Sequence, residues 1–296
     1  MPVSIHEWRS RMYRWGPSTT SGLIRAFRSE KLGGMIASLP MYDFPEIREH
    51  TDALWRAISN QARRLGVTDL PDELTRPLVA LDEHWLDPTL AFSQSCGYPV
   101  LRVLTDAQHI LGVFQFGVGS TARPGYYRSA IVCRVDDTRG DDGLTPAFDG
   151  ATIVANDNGS LSGWISFGSA LAVAGVRVGM VRFSGAHVLS CPMVASGEAD
   201  LACIDGHTLS LLSAHRPAAL EGIRVIGHGP EIPATPLFTT HLDAVLPLRV
   251  AVTRALTALP AATLEALQIM GFVPWSRDVY EPVAALASTA LAVLPT

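Results

Sequence analysis

The stretch ATIVANDNGSLSGW, residues 151–164, decides how this chain is read. Ala151 to Ala155 is a short apolar run of the length and composition of a buried strand. Asn156 to Gly159 is turn chemistry. Ser160 is a small hydroxyl residue placed before an apolar pattern, which is where a helix N-cap belongs. A strand leading through Gly and Ser into a helix leaves several backbone N–H groups without intrahelical partners at one point. The helix dipole adds about half a positive charge there. Such a point can hold an oxyanion. It can also be an ordinary cap by Asn158 or Ser160 with nothing bound.

The alternation continues on the C-terminal side of this stretch. Ser160 to Ala174 reads as a helix, Val178 to Phe183 as a strand and His187 to Ser196 as a helix. Leu201 to Ile204, Thr208 to His215 and Ile223 to Ile226 follow as strand, helix and strand. This rhythm predicts a parallel sheet with helices on both faces. Pro236 to Thr240 reads as a further strand, and three helices around 246–258, 261–270 and 279–292 close the chain.

On the N-terminal side, Tyr127 to Val135 is a strand and Asp136 to Gly143 a charged turn. Met35 to Leu39 is a strand ended by Pro40. A helix opened by Pro45 carries Ile47, Leu54, Trp55 and Ile58 at helical spacing and stops at Gly66. Leu78 to Leu81 reads as a strand and His84 to Leu90 as a helical piece. Val100 to Leu104 and Gly112 to Val118 read as extended. The fold class is therefore α/β with two lobes and a ligand cleft between them. Residues 35–126 with 236–296 form lobe 1, and residues 127–235 form lobe 2. Residues 1–34 read as a poorly ordered N-terminal extension, with Met35 as the biological start.

Composition narrows the function classes. The 296 residues are 48% hydrophobic and 17% charged, with formal net charge −5. The length supports one large domain or two lobes. The basic residues near the start (Arg9, Arg11, Arg14, Arg25, Arg28, Lys31) are scattered among Trp8, Tyr13 and Trp15 and read as a solvated tail. No other basic cluster suits a nucleic-acid backbone. Cys96, Cys133, Cys191 and Cys203 include no CxxC pair, so neither a metal site nor a cofactor is expected. Cys133 and Cys203 read as buried strand residues. No secretory signal and no membrane span is visible, and the apolar stretch from Pro282 to Pro295 reads as a packing helix.

Two further strand-to-helix junctions carry small, polar or ionisable residues. One holds Ser184, Gly185 and His187; the other holds Asp205, Gly206 and His207. His187 reads either as a cleft residue or as a structural histidine. Asp205 reads either as a ligand acceptor or as a helix cap. Tyr42 and Tyr98 follow strands in the other lobe, where a phenol can donate to an anion or pack in the core.

These residues fall into a known pattern. The sequences ASLPMYD (37–43), QSCGYP (94–99), YRSAIV (127–132), NDNGSLSG (156–163) and SGAHVLSCPMVASGEADLACID (184–205) resemble the phosphate/phosphite/phosphonate-binding components of ABC transporters. The resemblance implies the type 2 periplasmic-binding-protein fold and a small anionic ligand. It implies that Ser160, the Leu161 backbone and Ser162 hold the anion, that Tyr42 and Tyr98 contact it from the first lobe, that His187 hydrogen-bonds it, and that Asp205 faces the rest of the ligand. It also implies a transporter permease as partner. The family's Ser-Thr-Ser-Gly turn is Ser-Leu-Ser-Gly here, so Leu161 removes one hydroxyl. Two other readings stay open. One is a cytoplasmic ligand-sensing module. The other is an enzyme on the same fold using His187, Asp205 and Cys96, although no nucleophile elbow, HExxH or P-loop is present.

Overall fold

A computed structural model describes residues 34–117 and 123–294. The expectations for residues 1–33 and for Val118 lie outside the described residues. In chain order the strands are β1 (Ile36–Ala37), β2 (Leu90–Gln94), β3 (His109–Phe116), β4 (Tyr126–Arg134), β5 (Ala151–Ala155), β6 (Val178–Phe183), β7 (Leu201–Ile204), β8 (Ile223–Pro233), β9 (Pro236–Thr239) and β10 (Ile269–Val273). The α-helices are α1 (Arg48–Arg64), α2 (Leu81–Trp85), α3 (Pro99–Arg102), α4 (Ser166–Ala174), α5 (His187–Ala195), α6 (Gly206–His215), α7 (Val245–Ala258), α8 (Ala261–Leu267) and α9 (Val283–Leu291).

The strands form two five-stranded sheets, ordered β1-β2-β9-β3-β10 and β6-β5-β7-β4-β8. In the second sheet β5 runs parallel to both β6 and β7. Both β5 and β7 read as almost continuous apolar runs because each is covered on two faces. The sheet is mixed, not wholly parallel as the alternation predicts. β4 arrives from the first sheet and lies antiparallel to β7 and β8. In the first sheet only β1 and β2 are parallel. The chain is thus a two-lobed α/β molecule.

The helices follow from spacing and end signals. α1 buries Leu54, Trp55, Ile58 and Ala62 along one stripe, and Gly66, at φ 92°, takes the left-handed turn just beyond it. The segment opening at Ser160 begins as one wide π turn, Leu161–Ile165, before α4. α9 packs against α4 beside the second sheet, with Ala290 and Leu294 over Gly168. The sequence reading groups that helix with the first lobe.

Several local expectations are corrected. Leu78 to Leu81 is not a strand: Pro77 removes a ladder donor, Leu78 is 92% exposed, and α2 starts at Leu81. Val100 to Leu104 is not extended, since Pro99 fixes a helical φ at the first position of α3. The helical piece expected through Leu90 ends at Trp85, and β2 follows, buried at every position. The helix expected to reach residue 270 stops where Gln268 turns left-handed at φ 51°, which frees β10. The strand expected to end at Ile226 runs to Pro233, because Pro230 is tolerated on an edge strand.

Candidate functional site

Parallel pairing of β6, β5 and β7 brings their carboxyl ends side by side, so the three strand-to-helix junctions meet. At the first junction the Ser160 hydroxyl accepts the Gly163 N–H at 2.9 Å. The first backbone bond of the π turn runs from Ile165 N–H to Ser160 C=O at 3.1 Å. That wide turn leaves the N–H groups of Leu161 and Ser162 free of helical partners. Ser160, Leu161 and Ser162 are all buried.

Ser162 and His187 connect the first junction to the second. Ser162 Oγ lies 3.0 Å from His187 Nε2 and 3.3 Å from Ser160 Oγ. Nδ1 of His187 accepts the backbone N–H of Asp205 at 3.4 Å. Nε2 of His187 and the Ser162 hydroxyl share one hydrogen bond, whose direction follows the ring tautomer. Burial lowers the His187 pKa, opposed by the Asp205 charge, so the ring is neutral.

Asp205 connects the second lobe to the first. Its Oδ1 accepts the Thr208 N–H at 2.8 Å and caps α6. Its Oδ2 accepts the Tyr42 hydroxyl at 3.3 Å. Tyr127 is close enough to feel the same carboxylate. Burial, then the Asp205 charge, raises both phenols well above their ordinary pKa, so both stay protonated donors. The Tyr98 backbone amide helps to lower the Cys96 thiol pKa, and the Arg102 guanidinium lies 5.3 Å over the Tyr98 ring.

Cys96 is the feature the sequence reading misjudged. Its sulfur accepts the Leu161 N–H at 3.3 Å, and the backbone amides of Tyr98 and Ser162 are near enough to lower the thiol pKa. It therefore sits on the Leu161 amide, which was expected to hold an anion. Burial raises the thiol pKa, and those amides only partly offset it. The imidazole of His187 bonds Ser162 and Asp205, not Cys96. A protonated thiol without an adjacent base does not make an activated nucleophile. Next to Cys96, the chain passes close to the other lobe at Gly97. A Cβ there would stand 2.5 Å from Leu161 Cδ2.

Sequence reasoning also missed Tyr127 and His207. His207 stacks on Phe116 with centroids 3.7 Å apart and meets Tyr42 edge-on at 4.5 Å. Burial pushes its pKa down to about 3. Its place two residues after Asp205, just inside a helix, was a local signal that went unused.

Hydroxyls, amides and a neutral imidazole gathered between two α/β lobes define a solute-binding protein. The chain belongs to the family described as ABC transporter, phosphonate, periplasmic substrate-binding protein, which it matches over residues 89–280. Solved structures share the fold. PhnD1 from Prochlorococcus marinus, in complex with methylphosphonate, has a TM-score of 0.65 at 12% identity, covering 88% of this chain and 98% of that one. A binding protein component of an ABC phosphonate transporter from Pseudomonas aeruginosa has a TM-score of 0.64 at 16% identity, covering 88% and 87%. A protein from Xanthomonas citri bound to ATP has a TM-score of 0.63 at 12% identity, covering 88% and 97%. No curated protein matches the sequence. Among the described residues, no helix is long and apolar enough to cross a membrane.

Proposed function

We propose that this chain is a solute receptor that closes on a small oxyanion, a phosphonate, phosphite or phosphate ester, and catalyses no reaction. The observation that carries this is the Leu161 backbone N–H, which has no helical partner and is held at 3.3 Å by the Cys96 sulfur beside the Ser160 and Ser162 hydroxyls and His187. A thiol sulfur is a weak acceptor, whereas an anionic oxygen forms charge-assisted bonds about twice as strong as neutral ones. An arriving anion would take the Leu161 amide from the thiol and meet the Ser162 amide beside it. The Ser160 and Ser162 hydroxyls and the His187 ring would complete its shell. Tyr42 would donate from the first lobe and Tyr98 would supply its amide. Asp205 would orient His187 through its backbone and Tyr42 through its carboxylate. Family membership supports a transporter permease as the downstream partner.

The socket is buried in the closed form, so the ligand enters when the lobes separate. Lobe 1 (35–126 with 236–282) and lobe 2 (127–235), with α9 carried on lobe 2 by its packing against α4, are the units proposed to move. The test is calorimetry with methylphosphonate, phosphite and a phosphate monoester. Replacing Ser160 and Ser162 together by Ala should weaken binding by about 3–6 kcal/mol, because each charge-assisted hydrogen bond contributes roughly 1.5–3. An unchanged affinity in the double variant would remove the socket from the argument.

A further inference from the structure

The lobes also meet outside the socket, along α6. This helix belongs to the second lobe, and its ten residues span about 15 Å. Contacts cross from it to the first lobe over that whole length. At its start Asp205 accepts the Tyr42 hydroxyl and His207 stacks on Phe116. Midway, Ser210 Oγ donates to Gln268 Oε1, and Gln268 Nε2 donates to the Ser210 carbonyl at 3.2 Å. At its end His215 Nε2 donates to the Ala266 carbonyl at 2.9 Å. One residue on, Arg216 Nε donates to Glu46 Oε1 at 2.8 Å. That ion pair is partly exposed and contributes little by itself. The reciprocal pair at Gln268 is a different case.

Gln268 stands where a side chain is disfavoured. It ends α8 at φ 51°, and among the described residues it is the only non-glycine with a positive φ. Glycine or asparagine is the usual residue at such a helix end, because a Cβ crowds the neighbouring carbonyl there. Stopping the helix therefore does not select glutamine. What glutamine adds is an amide that both donates and accepts, and Ser210 of the opposite lobe engages it in both roles. Strained backbone persists where the position does something besides folding. We propose that Gln268 is an affinity-determining residue outside the socket: with Ser210 it fastens α6 to the first lobe and stabilises the closed form that holds the ligand. The proposal rests on the reading that the two lobes close on a ligand.

The experiment compares the full chain with Gln268→Gly. Glycine keeps the left-handed turn and the residue 268 carbonyl, which accepts the Gly117 N–H at 2.9 Å, and removes the two bonds to Ser210. One hydrogen bond changes an equilibrium constant by about two- to twelvefold, so closing should weaken by about 5- to 150-fold. Apparent affinity follows the closed fraction, and methylphosphonate titrated by calorimetry should bind about fivefold more weakly or worse. The melting midpoint of the ligand-free chain should hold, and small-angle scattering should give that chain a larger radius of gyration. Binding weaker by more than about twofold, or a larger radius, with the midpoint held, supports the clasp. Affinity within about twofold together with an unchanged radius overturns it, as does an affinity loss accompanied by a lower midpoint. In a Ser210→Ala background Gln268→Gly should weaken binding less than it does alone, and an equal effect would also overturn the pairing. If the unmodified chain binds neither methylphosphonate, phosphite nor a phosphate monoester, the oxyanion reading falls, and the scattering comparison still decides the clasp.

Discussion

Gly97→Ala tests whether contact between the lobes governs affinity. The Cβ added at residue 97 would lie 2.5 Å from Leu161 Cδ2 and 3.2 Å from Tyr280 Cε1. Carbon atoms in ordinary contact sit about 3.5–4.0 Å apart, so roughly 1 Å must be found on the Leu161 side. Leu161 is fully buried and its amide is held on the Cys96 sulfur, which limits retreat. Overpacking of this kind costs typically about 1–3 kcal/mol. Opening of the lobes relieves the clash, because residue 97 and Leu161 belong to different sheets' layers. The cost then falls on the closed state, and apparent affinity drops by the fraction that remains closed. That amounts to about 5- to 150-fold weaker binding of methylphosphonate. The assay pairs calorimetry with thermal unfolding of the ligand-free protein, whose midpoint should change little. In Gly97→Ala/Leu161→Ala the clash partner is gone, and affinity should return to within about threefold of Leu161→Ala alone, a non-additivity expected for residues in contact. Binding by Gly97→Ala within twofold of the unmodified chain, or failure of the second substitution to restore it, would refute the reasoning.

Asp205→Ala removes the α6 cap and the acceptor of the Tyr42 phenol. Loss of a cap costs about 1 kcal/mol and an unsatisfied buried donor about 1–3, so urea unfolding should show at least about 2 kcal/mol of destabilisation. Asp205→Asn keeps an acceptor for Thr208 and should cost clearly less. Stability should also depend on the buried histidines. Burial lowers the pKa of His84, His187 and His207 below the ordinary value of 6.5, to about 3 for His207. The unfolded chain therefore binds protons below about pH 6.5 that the folded chain refuses, and stability should fall as pH drops from 6.5 toward 4. His207→Phe keeps an aromatic ring against Phe116 and removes one titrating group. Its unfolding midpoint should lose less over that range, and an identical pH slope would count against His207.

The second lobe was legible because each of its elements carries a local signal. The strands Ala151–Ala155, Val178–Phe183 and Leu201–Ile204 fall where apolar runs bounded by Gly, Ser and Asp place them. The first lobe was harder to read. β2 (LAFSQ) is buried at every position, so it shows no alternation of period two. β10 follows α8 directly, and only the left-handed Gln268 separates them. A non-glycine residue in that conformation leaves no mark in a propensity reading.

The same distinction separates what was readable of the site from what was not. Ser160, Ser162, His187 and Asp205 each sit at a strand-to-helix junction of one sheet, and parallel pairing brings such junctions together. Cys96 is 65 positions from Leu161 and lies in the other lobe, and no periodicity connects the two. What joins them is closure of the lobes, which is a property of the folded pair and not of either segment. The Leu161 side chain then has a physical reading. Where the family pattern has Thr, this chain extends a hydrophobic side chain across the gap, and the opposite wall answers with Gly97, the residue that leaves room for it. The missing hydroxyl is thus replaced by an apolar contact between the lobes. That contact, like the bond from the Leu161 amide to the Cys96 sulfur, is made only while the two lobes are together. On the oxyanion reading proposed above, an anion must displace the Cys96 sulfur from the Leu161 amide before it can bind.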